Sequence, residues 1–384
     1  MGMDAQQTVY YINIEGKPVL LQLDKQKMAA LMHGQPVLME QKGENGKEIY
    51  LIPDGGGGEL GIPCTLMSEG TKICSRGILK EALDRIEDWL PVESFEIACD
   101  LYVFSEDGFT ENLSEHSSSL NPCVCEDLKN VNIPCGGAEA FMVFSPEPKQ
   151  YELHITGGNV LLVLDALAPA RKAVSDICRA RGLRPFFAPK IDSFAPCGMV
   201  MTFKGRLDID QELCRAALLG IYDHAKAMTL ASCSQVNSYK RITPKRVTPG
   251  QRIPCFLRGT TGDDRNAIVK WKPQEAEITF YLADNYCNPY LALAGNLQML
   301  SYGVERYKND MPAGRFEAFL CSGERMPNSL VVASELWKDC AFAKEVYGEY
   351  LFRKLYEDAV AEWVEYCDIA HPWELMRGVE YELR

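Results

Sequence analysis

The sequence lacks any long run of apolar residues. No stretch approaches the roughly 20 residues that a membrane-spanning helix needs, and the opening residues 1–7 are too polar for a signal peptide. Both absences predict a cytoplasmic protein that does not cross a membrane.

Positive charge is also in short supply. The chain has 40 Lys and Arg residues against 53 Asp and Glu residues, which gives a formal net charge of −13. Nucleic acids and anionic membranes gain nothing from a surface of their own sign. We therefore predict no nucleic-acid partner and no membrane partner, and expect a small molecule or another protein.

Histidine is scarce, with five residues in the whole chain, and no two of them have the spacing of paired metal ligands. So few histidines give no support for a Ser-His-Asp or Cys-His catalytic arrangement. His154 follows Glu152 by two residues, so both side chains would lie on one face of a strand. The pair is either a candidate metal-binding element or an ordinary structural histidine with a hydrogen-bond partner.

The fifteen cysteines are scattered singly and give no disulfide framework. Most have apolar neighbours, where a free cysteine behaves as a small hydrophobic residue. One cluster, Cys123 and Cys125 with Cys135, suits either a soft metal or a set of reduced loop thiols.

At 384 residues and 47% hydrophobic content, the chain can bury a sizeable core. Residues 8–24 alternate apolar and polar around a turn at residues 15–18, which predicts a β-hairpin. Residues 25–32 then predict a short helix that ends before Gly34, and residues 48–52 predict a strand. A hairpin, a helix and further strands make a small α+β module.

The larger remainder begins with an amphipathic helix over residues 76–89. Strands are predicted over residues 97–104 and 151–156, a single helix over 164–182, and helical structure over 334–366. Strands and helices that do not strictly alternate favour an α+β fold. We predict a small domain over residues 1–72 and a large domain over residues 73–384.

Two segments carry the most specific pattern in the chain. Residues 237–241 read Asn-Ser-Tyr-Lys-Arg, and residues 288–294 read Asn-Pro-Tyr-Leu-Ala-Leu-Ala. Together they resemble the signature blocks of the glutamine synthetase family, and weaker similarities follow in the family's order along nearly the whole chain. The resemblance implies a glutamine synthetase-type catalytic fold in the large domain and a β-grasp-like fold in the small one.

Members of that family join ammonia to glutamate at the expense of ATP, with two divalent metals held by carboxylates and one histidine. Where the family has its Glu-x-Glu strand, this chain has Ala98-Cys99-Asp100, whereas Glu152 matches a retained ligand. Val200 and Thr279 stand at the remaining ligand positions of the second ion. The resemblance thus implies a vestigial metal site of Asp100 and Glu152, with Mg²⁺ and ATP as cofactors only if activity is retained.

The acids that handle ammonium in the family have changed as well. Leu38 falls near the expected Asp, and Arg252 stands where a flap Glu precedes a proline. A cation at that place would repel ammonium. In the loop that recognises glutamate only Gly198 remains, so the resemblance implies no retained catalytic residue.

The basic residues of the family site are better preserved. Arg241, Arg265 and Lys270 match phosphate- and substrate-facing cations, while Tyr281 replaces a further arginine. Arginine is well suited to oxyanions. One interpretation is a residual nucleotide or anion pocket, and the other is that these cations now pair with the chain's many acids.

Three functional hypotheses follow from the resemblance. The first is a glutamine synthetase homologue that has lost its ligase activity and has a structural or regulatory role. The second is an active ATP-dependent carboxylate–amine ligase with a metal site rebuilt on Asp100, Glu152 and Glu147. The third is a ligand sensor. The resemblance also implies a ring-shaped homo-oligomer, or assembly with a true glutamine synthetase.

Overall fold

A computed structural model describes residues 8–13, 15–42, 46–54, 61–105, 138–145, 150–191, 195–206, 210–243 and 251–370. The cluster of Cys123, Cys125 and Cys135 lies outside the described residues, and so does Glu147. The strands are β1 Thr8–Ile12, β2 Pro18–Gln22, β3 Val37–Leu38, β4 Tyr50–Pro53, β5 Ile62–Ser68, β6 Thr71–Lys72, β7 Val92–Ser105, β8 Glu139–Ser145, β9 Gln150–Gly157, β10 Leu183–Phe186, β11 Met199–Gly205, β12 Phe256–Thr260, β13 Ala267–Lys272 and β14 Glu277–Phe280. The helices are α1 Lys25–Met32, α2 Ser75–Ile86, α3 Val160–Asp165, α4 Leu167–Arg179, α5 Gln211–His224, α6 Thr229–Ser232, α7 Val236–Ile242, α8 Pro289–Tyr307, α9 Arg315–Leu320, α10 Leu330–Lys338 and α11 Ala341–Asp368.

The first sheet has the order β2-β1-β5-β4-β3, with β6 paired to β5. Strands β1 and β2 form the antiparallel hairpin that the alternation predicts, and β1 runs parallel to β5. Helix α1 has the predicted bounds because the Asp24 side chain caps it, accepting hydrogen bonds from the backbone amides of Gln26 and Lys27. A separate buried cluster, which includes Met28 and Leu51, packs against this sheet. The domain boundary after residue 72 and the β-grasp assignment remain predictions.

The second sheet has the order β12-β13-β14-β11-β7-β9-β8, with β10 paired to β7. Helices α2, α5 and α8 belong to the main hydrophobic core, which lies against one face of this sheet. The mixed fold class predicted from the sequence is confirmed. The helix predicted over residues 164–182 is present as α4, Leu167–Arg179, but it starts later and ends earlier than predicted, and Asp165 belongs to the separate helix α3.

We call Tyr10, Asp54, Arg76, Asp165 and Tyr290 the Asp165 cluster. Asp165 accepts hydrogen bonds from the hydroxyls of Tyr10 at 2.8 Å and Tyr290 at 2.7 Å. The guanidinium of Arg76 binds Asp165, with Nη2 to Oδ2 at 3.1 Å, and also pairs with Asp54. The cluster is almost fully buried and joins the first sheet to α2, α3 and α8.

The C-terminal part is helical, as predicted, but it contains two interruptions. Helix α10 ends before Asp339 and α11 starts after Cys340. Within α11, Gly348 has φ 71° and ψ 163°, a backbone conformation that L side chains rarely adopt. Among the described residues, no helix is both long and apolar enough to span a membrane.

Candidate functional site

Alternation along β7 separates the two faces of the second sheet. Phe95, Ile97, Cys99 and Leu101 lie in the main core, so the residues between them point to the opposite face. Those residues include Glu96, Ala98 and Asp100. We call this side the polar face, and it carries the positions that the sequence singled out.

The strand register brings those positions together. Ala98 lies opposite Val200 on β11 and opposite His154 on β9, while Asp100 lies opposite Glu152. Directly opposite residues of an antiparallel pair point to the same face with Cβ atoms about 5 Å apart. The two proposed metal-ligating acids, Asp100 and Glu152, are therefore cross-strand neighbours.

The next strands extend the polar face. Thr202 lies opposite Glu96 and also opposite Thr279, and the two threonine hydroxyls are 3.3 Å apart. Thr279 in turn lies opposite Lys270 on β13. Ala98 and Val200 carry no donor atom and Thr279 offers only a hydroxyl, whereas Mg²⁺ prefers several carboxylate oxygens. The donor set therefore does not fit a two-metal centre.

The polar face carries a Glu96–His154–Glu152 triad. His154 Nδ1 is 2.7 Å from Glu96 Oε1, and its Nε2 is 3.0 Å from Glu152 Oε2. A carboxylate only accepts hydrogen bonds, so both ring nitrogens donate when the ring is an imidazolium. Within the described ranges, no group of three or more His, Cys, Asp or Glu residues is arranged to hold a metal ion.

The ionisation of the triad follows from these contacts. Burial alone would lower the pKa of His154, but the hydrogen bonds to Glu152 and Glu96 outweigh it and raise that pKa to about 9. The hydrogen bond from His154 lowers the pKa of Glu96. The ring of Phe141 stacks on His154 with centroids 5.1 Å apart. The sequence analysis paired Glu152 with His154 but missed Glu96. Glu96 lies two residues before Ala98, so the alternation along β7 places it on the same face.

Asp100 is held in a different way. Its Oδ2 accepts a hydrogen bond of 2.7 Å from the backbone amide of Gly198. Burial raises the pKa of Asp100 to about 7, and the charge of Glu152 acts in the same direction, while the Gly198 amide and the charge of Arg241 oppose them. A divalent cation at this place would compete with the proton of the carboxyl group.

The three proposed anion-binding cations lie in different environments. Arg241, on α7, is only 2% exposed, and its guanidinium donates to the backbone carbonyls of Tyr281 and Leu282. Lys270 points to the polar face beside Thr279 and forms no ion pair with a described residue. Arg265 lies just before β13 with its side chain 45% exposed and 3.8 Å from Asp263. The geometry thus favours Lys270 and Arg265 over Arg241 for contact with a ligand.

Arg252 and Tyr281, which the sequence analysis singled out separately, are in contact in the structure. The Arg252 guanidinium lies 3.9 Å from the centroid of the Tyr281 ring, within the range of a cation–π contact. Burial raises the pKa of Tyr281, with the charge of Arg252 opposing it. The two residues that the resemblance assigns to a flap acid and to a further arginine therefore contact each other.

The segment at residues 237–241 binds backbone groups of other segments. Asn237 accepts a hydrogen bond of 2.7 Å from the Lys190 amide and donates one of 3.1 Å to its carbonyl. The Tyr239 hydroxyl donates to the Cys233 carbonyl at 2.8 Å. With Arg241 holding residues 281 and 282, this segment fixes three loops around one end of the second sheet.

The second segment begins α8 and has a similar role. The Asn288 side chain accepts from the backbone amides of Tyr290 and Leu291, which caps the helix. Its amide nitrogen donates to Ser75 Oγ at 2.6 Å, and Ser75 donates to the carbonyl of Asn13 at 2.7 Å. This side chain thus links α8 to α2 and to the first hairpin.

Known proteins share this architecture. The chain superposes on the cryo-EM structure of Plasmodium falciparum glutamine synthetase with a TM-score of 0.71 and 15% identity, covering 97% of this chain and 96% of that one. It superposes on a GmaS/ADP complex with a TM-score of 0.68 and 18% identity, covering 98% and 97%. At these identities the likeness establishes the fold, a glutamine synthetase-type α/β arrangement.

Sequence comparison assigns the family. A family model described as "Glutamine synthetase, catalytic domain" matches residues 113–378, more than half of the 384 residues. The chain belongs to the glutamine synthetase family. The glutamine synthetase of Methanosarcina mazei is 28% identical over 258 residues, 60% of this chain and 56% of the relative, and that of Thermotoga maritima is 30% identical over 184 residues, 44% and 40%. The matched regions thus span about half the length of these curated relatives or less.

Proposed function

We propose that this chain is a catalytically degenerate member of the glutamine synthetase family with a regulatory, ligand-sensing or structural role. The observation that carries the proposal is the polar face of the second sheet. Ala98, Val200 and Thr279 stand where the family places metal ligands, and Glu152 is hydrogen-bonded to His154 at 3.0 Å. A carboxylate engaged by an imidazolium is a poor ligand for a second cation, since the two positive charges repel.

Phosphoryl transfer from ATP depends on metal ions that neutralise the charge developing at the transferred group. The described residues of the polar face offer few carboxylate oxygens for that purpose. Arg252 and Tyr281, at the positions proposed for ammonium and substrate handling, form a cation–π contact with each other. We therefore infer that the ligase reaction has been lost while binding of an anion near Lys270 and Arg265 is retained.

The direct test is a phosphate-release assay with magnesium-ATP, glutamate and ammonium, using the Methanosarcina mazei enzyme as a positive control in the same buffer. We expect no release above the rate of ATP alone. Turnover in the ordinary enzymatic range of roughly 1 to 1,000 s⁻¹ would refute the proposal.

Ligand sensing is tested by thermal shift against ATP, ADP, glutamate and glutamine. A ligand at a hundred times its dissociation constant adds about 2.7 kcal/mol to the free energy of unfolding. Arg265→Gln and Lys270→Gln should remove the shift, while Arg179→Gln, at an exposed ion pair on α4, should keep it. If none of the four compounds changes the melting temperature, the sensing role is excluded and a structural role is left.

One observation favours the second candidate, an active carboxylate–amine ligase with a rebuilt metal site. Asp100 and Glu152 lie directly opposite each other, with Glu96 on the same face. Calorimetric titration with Mn²⁺ separates the two candidates. Saturable binding that Glu152→Gln removes, together with phosphate release, would establish the ligase.

Assembly and location are further parts of the proposal. We propose a ring-shaped homo-oligomer, with a true glutamine synthetase as an alternative partner. Light scattering after size-exclusion chromatography measures the mass of the purified protein and so tells whether it forms an oligomer with itself. The described cysteines are free thiols, most of them buried, which supports a reducing, cytoplasmic environment.

A further inference from the structure

A cavity of about 650 Å³ lies between helix α4, helix α11 and the loop that leads into α8, with the first hairpin at its edge. Its walls carry apolar side chains from several elements, among them Leu164, Leu167 and Leu355. Binding sites for small molecules are concave, have volumes of this order and combine apolar walls with a few polar groups. The cavity is therefore a candidate site for a small molecule.

The cavity is separated from the polar face by the second sheet. Arg171, on α4, lines the cavity, and its Nη2 is 3.4 Å from Cys99 Sγ. Cys99 points from β7 into the main core, whereas its neighbours Ala98 and Asp100 point to the polar face. A ligand in the cavity would thus be held by residues other than those of the polar face.

The charges of the lining balance once every ion pair is counted in the same way. The described lining contains four acids and two cations. Glu15 pairs with Lys17 at 2.8 Å, and both of them belong to the lining. Asp165 and Asp358 each bind a cation outside the lining. One cation and one acid remain, so the cavity has no excess of either charge.

The remaining cation is Arg171, whose partners are all neutral. Its Nη1 donates to the Asn285 carbonyl at 3.2 Å, and its Nη2 donates to Asn285 Oδ1 at 2.7 Å. The guanidinium also lies 5.0 Å from the centroid of the Phe187 ring. With the contact to Cys99, these bonds use three of the five N–H donors of a guanidinium. No described acid pairs with Arg171, so its positive charge is uncompensated at this place.

The remaining acid is Glu362, on α11. Its Oε1 accepts a hydrogen bond of 3.3 Å from the backbone amide of Val236, which is a neutral partner. Glu362 is partly buried, and no described cation forms an ion pair with it. A charge that is partly removed from water without a counter-ion costs free energy. A ligand that brings the opposite charge offsets this cost, and its hydrogen bond to the carboxylate is strengthened by charge.

We propose that this cavity binds a small zwitterion, whose carboxylate meets Arg171 and whose ammonium group meets Glu362. The apolar walls contact the carbon chain between the two charged groups. Such a ligand bridges α4 and α11, so its binding stabilises the junction of these helices. The site does not depend on the function proposed for the polar face.

The test is calorimetry on the full-length protein with ω-amino acids of increasing length, namely 3-aminopropanoate, 4-aminobutyrate and 6-aminohexanoate, at constant ionic strength. Each is compared with the alkanoate and the alkylammonium ion of the same chain length, which carry only one of the two charges. We expect the best-fitting zwitterion to bind at least about tenfold more tightly than either half. Its length reports the separation of the two charged side chains.

Two variants assign the ends of the ligand. Glu362→Gln keeps an acceptor for the Val236 amide but removes the charge, so it should weaken the zwitterion about tenfold and leave the alkanoate unchanged. Arg171→Gln should weaken the zwitterion and the alkanoate and leave the alkylammonium ion unchanged. The matched controls are Glu365→Gln, exposed on the same helix as Glu362, and Arg179→Gln, exposed on the same helix as Arg171. Neither control should alter binding.

This pattern supports the site. The proposal is overturned if no zwitterion of the series binds at about 10 mM, or if the alkanoate binds the wild type as tightly as the zwitterion does. Equal losses in the controls and the cavity variants would also overturn it, because they mean non-specific charge attraction. So would loss of binding in Lys270→Gln with binding kept in Glu362→Gln, because the ligand then occupies the polar face. The comparison of whole and half ligands on the wild type decides the question even if Arg171→Gln fails to fold.

Discussion

The Asp165 cluster and the polar face of the second sheet both gather charged side chains, but they satisfy those charges differently. In the Asp165 cluster an arginine, two acids and two tyrosines are almost fully buried and bound to one another. On the polar face Glu96 and Glu152 are partly exposed, and the contacts involve one histidine, hydroxyls and a cation–π pair. We therefore expect the buried cluster to contribute more to the stability of the fold than the contacts of the polar face do.

The largest effect is expected at Asp165. Asp165→Asn keeps the volume but removes the negative charge that faces buried Arg76, and breaking a buried ion pair costs about 3 to 5 kcal/mol. Urea unfolding should report a loss of that size. Asp176→Asn, at an exposed ion pair of α4, should leave the unfolding curve unchanged, and equal losses in the two variants would contradict the comparison.

We expect Arg241, like the residues of the Asp165 cluster, to contribute strongly to stability. Arg241→Met leaves the carbonyls of residues 281 and 282 without their donor, and unsatisfied buried groups cost about 1 to 3 kcal/mol each. We expect urea denaturation to show that Arg241→Met lowers the free energy of unfolding by about 2 to 3 kcal/mol. Arg265→Met, at a half-exposed site, should change that free energy little. If Arg241→Met is harmless to stability but abolishes nucleotide binding, Arg241 belongs to the ligand site and not to the scaffold.

Part of the contrast between the buried residues and the polar face could be predicted from the sequence, and part of it could not. Alternation is a local property, so without any structure it places Ala98 with Asp100 on one face of β7, and Glu152 with His154 on one face of β9. That the two pairs share a face follows from the strand register. The contact between Arg252 and Tyr281 joins residues far apart in the chain, and no local pattern predicts it. The direction of the Arg241 side chain is also set by tertiary packing, and for that reason the sequence could not separate it from Arg265 and Lys270.

The triad on the polar face predicts a specific dependence of stability on pH. A histidine whose pKa is raised on folding contributes its full stabilisation below its unfolded pKa of about 6.5, and this contribution is lost as the pH rises to about 9, the pKa of His154 in the fold. The expected loss across that window is about 1 to 3 kcal/mol, reduced by solvent screening because Glu96 and Glu152 are partly exposed.

His154→Gln is the control for this window, and its free energy of unfolding should decline less between pH 6.5 and 9. Asp100 affects stability at lower pH. Because folding raises the pKa of its carboxyl group to about 7, its contribution to the free energy of unfolding is lost as the pH rises from about 4 to 7. Asp100→Asn should flatten only that lower window. Identical pH profiles for the wild type and His154→Gln would contradict a charged His154 between two carboxylates.

The smallest effect is expected at the stack of Arg252 on Tyr281. A cation–π contact at a partly exposed site contributes about 0.5 to 1 kcal/mol, so Arg252→Gln and Tyr281→Leu should each reduce stability modestly. A double-mutant cycle isolates the contact, because removal of the second partner should cost less once the first is gone. A coupling energy near zero would mean that the two side chains are neighbours without mutual stabilisation, and that Arg252 is free to meet an anionic ligand on the polar face. A coupling energy as large as the loss at Asp165 would instead remove the contrast between the two regions, since a contact on the polar face would then hold the fold as firmly as the buried cluster does.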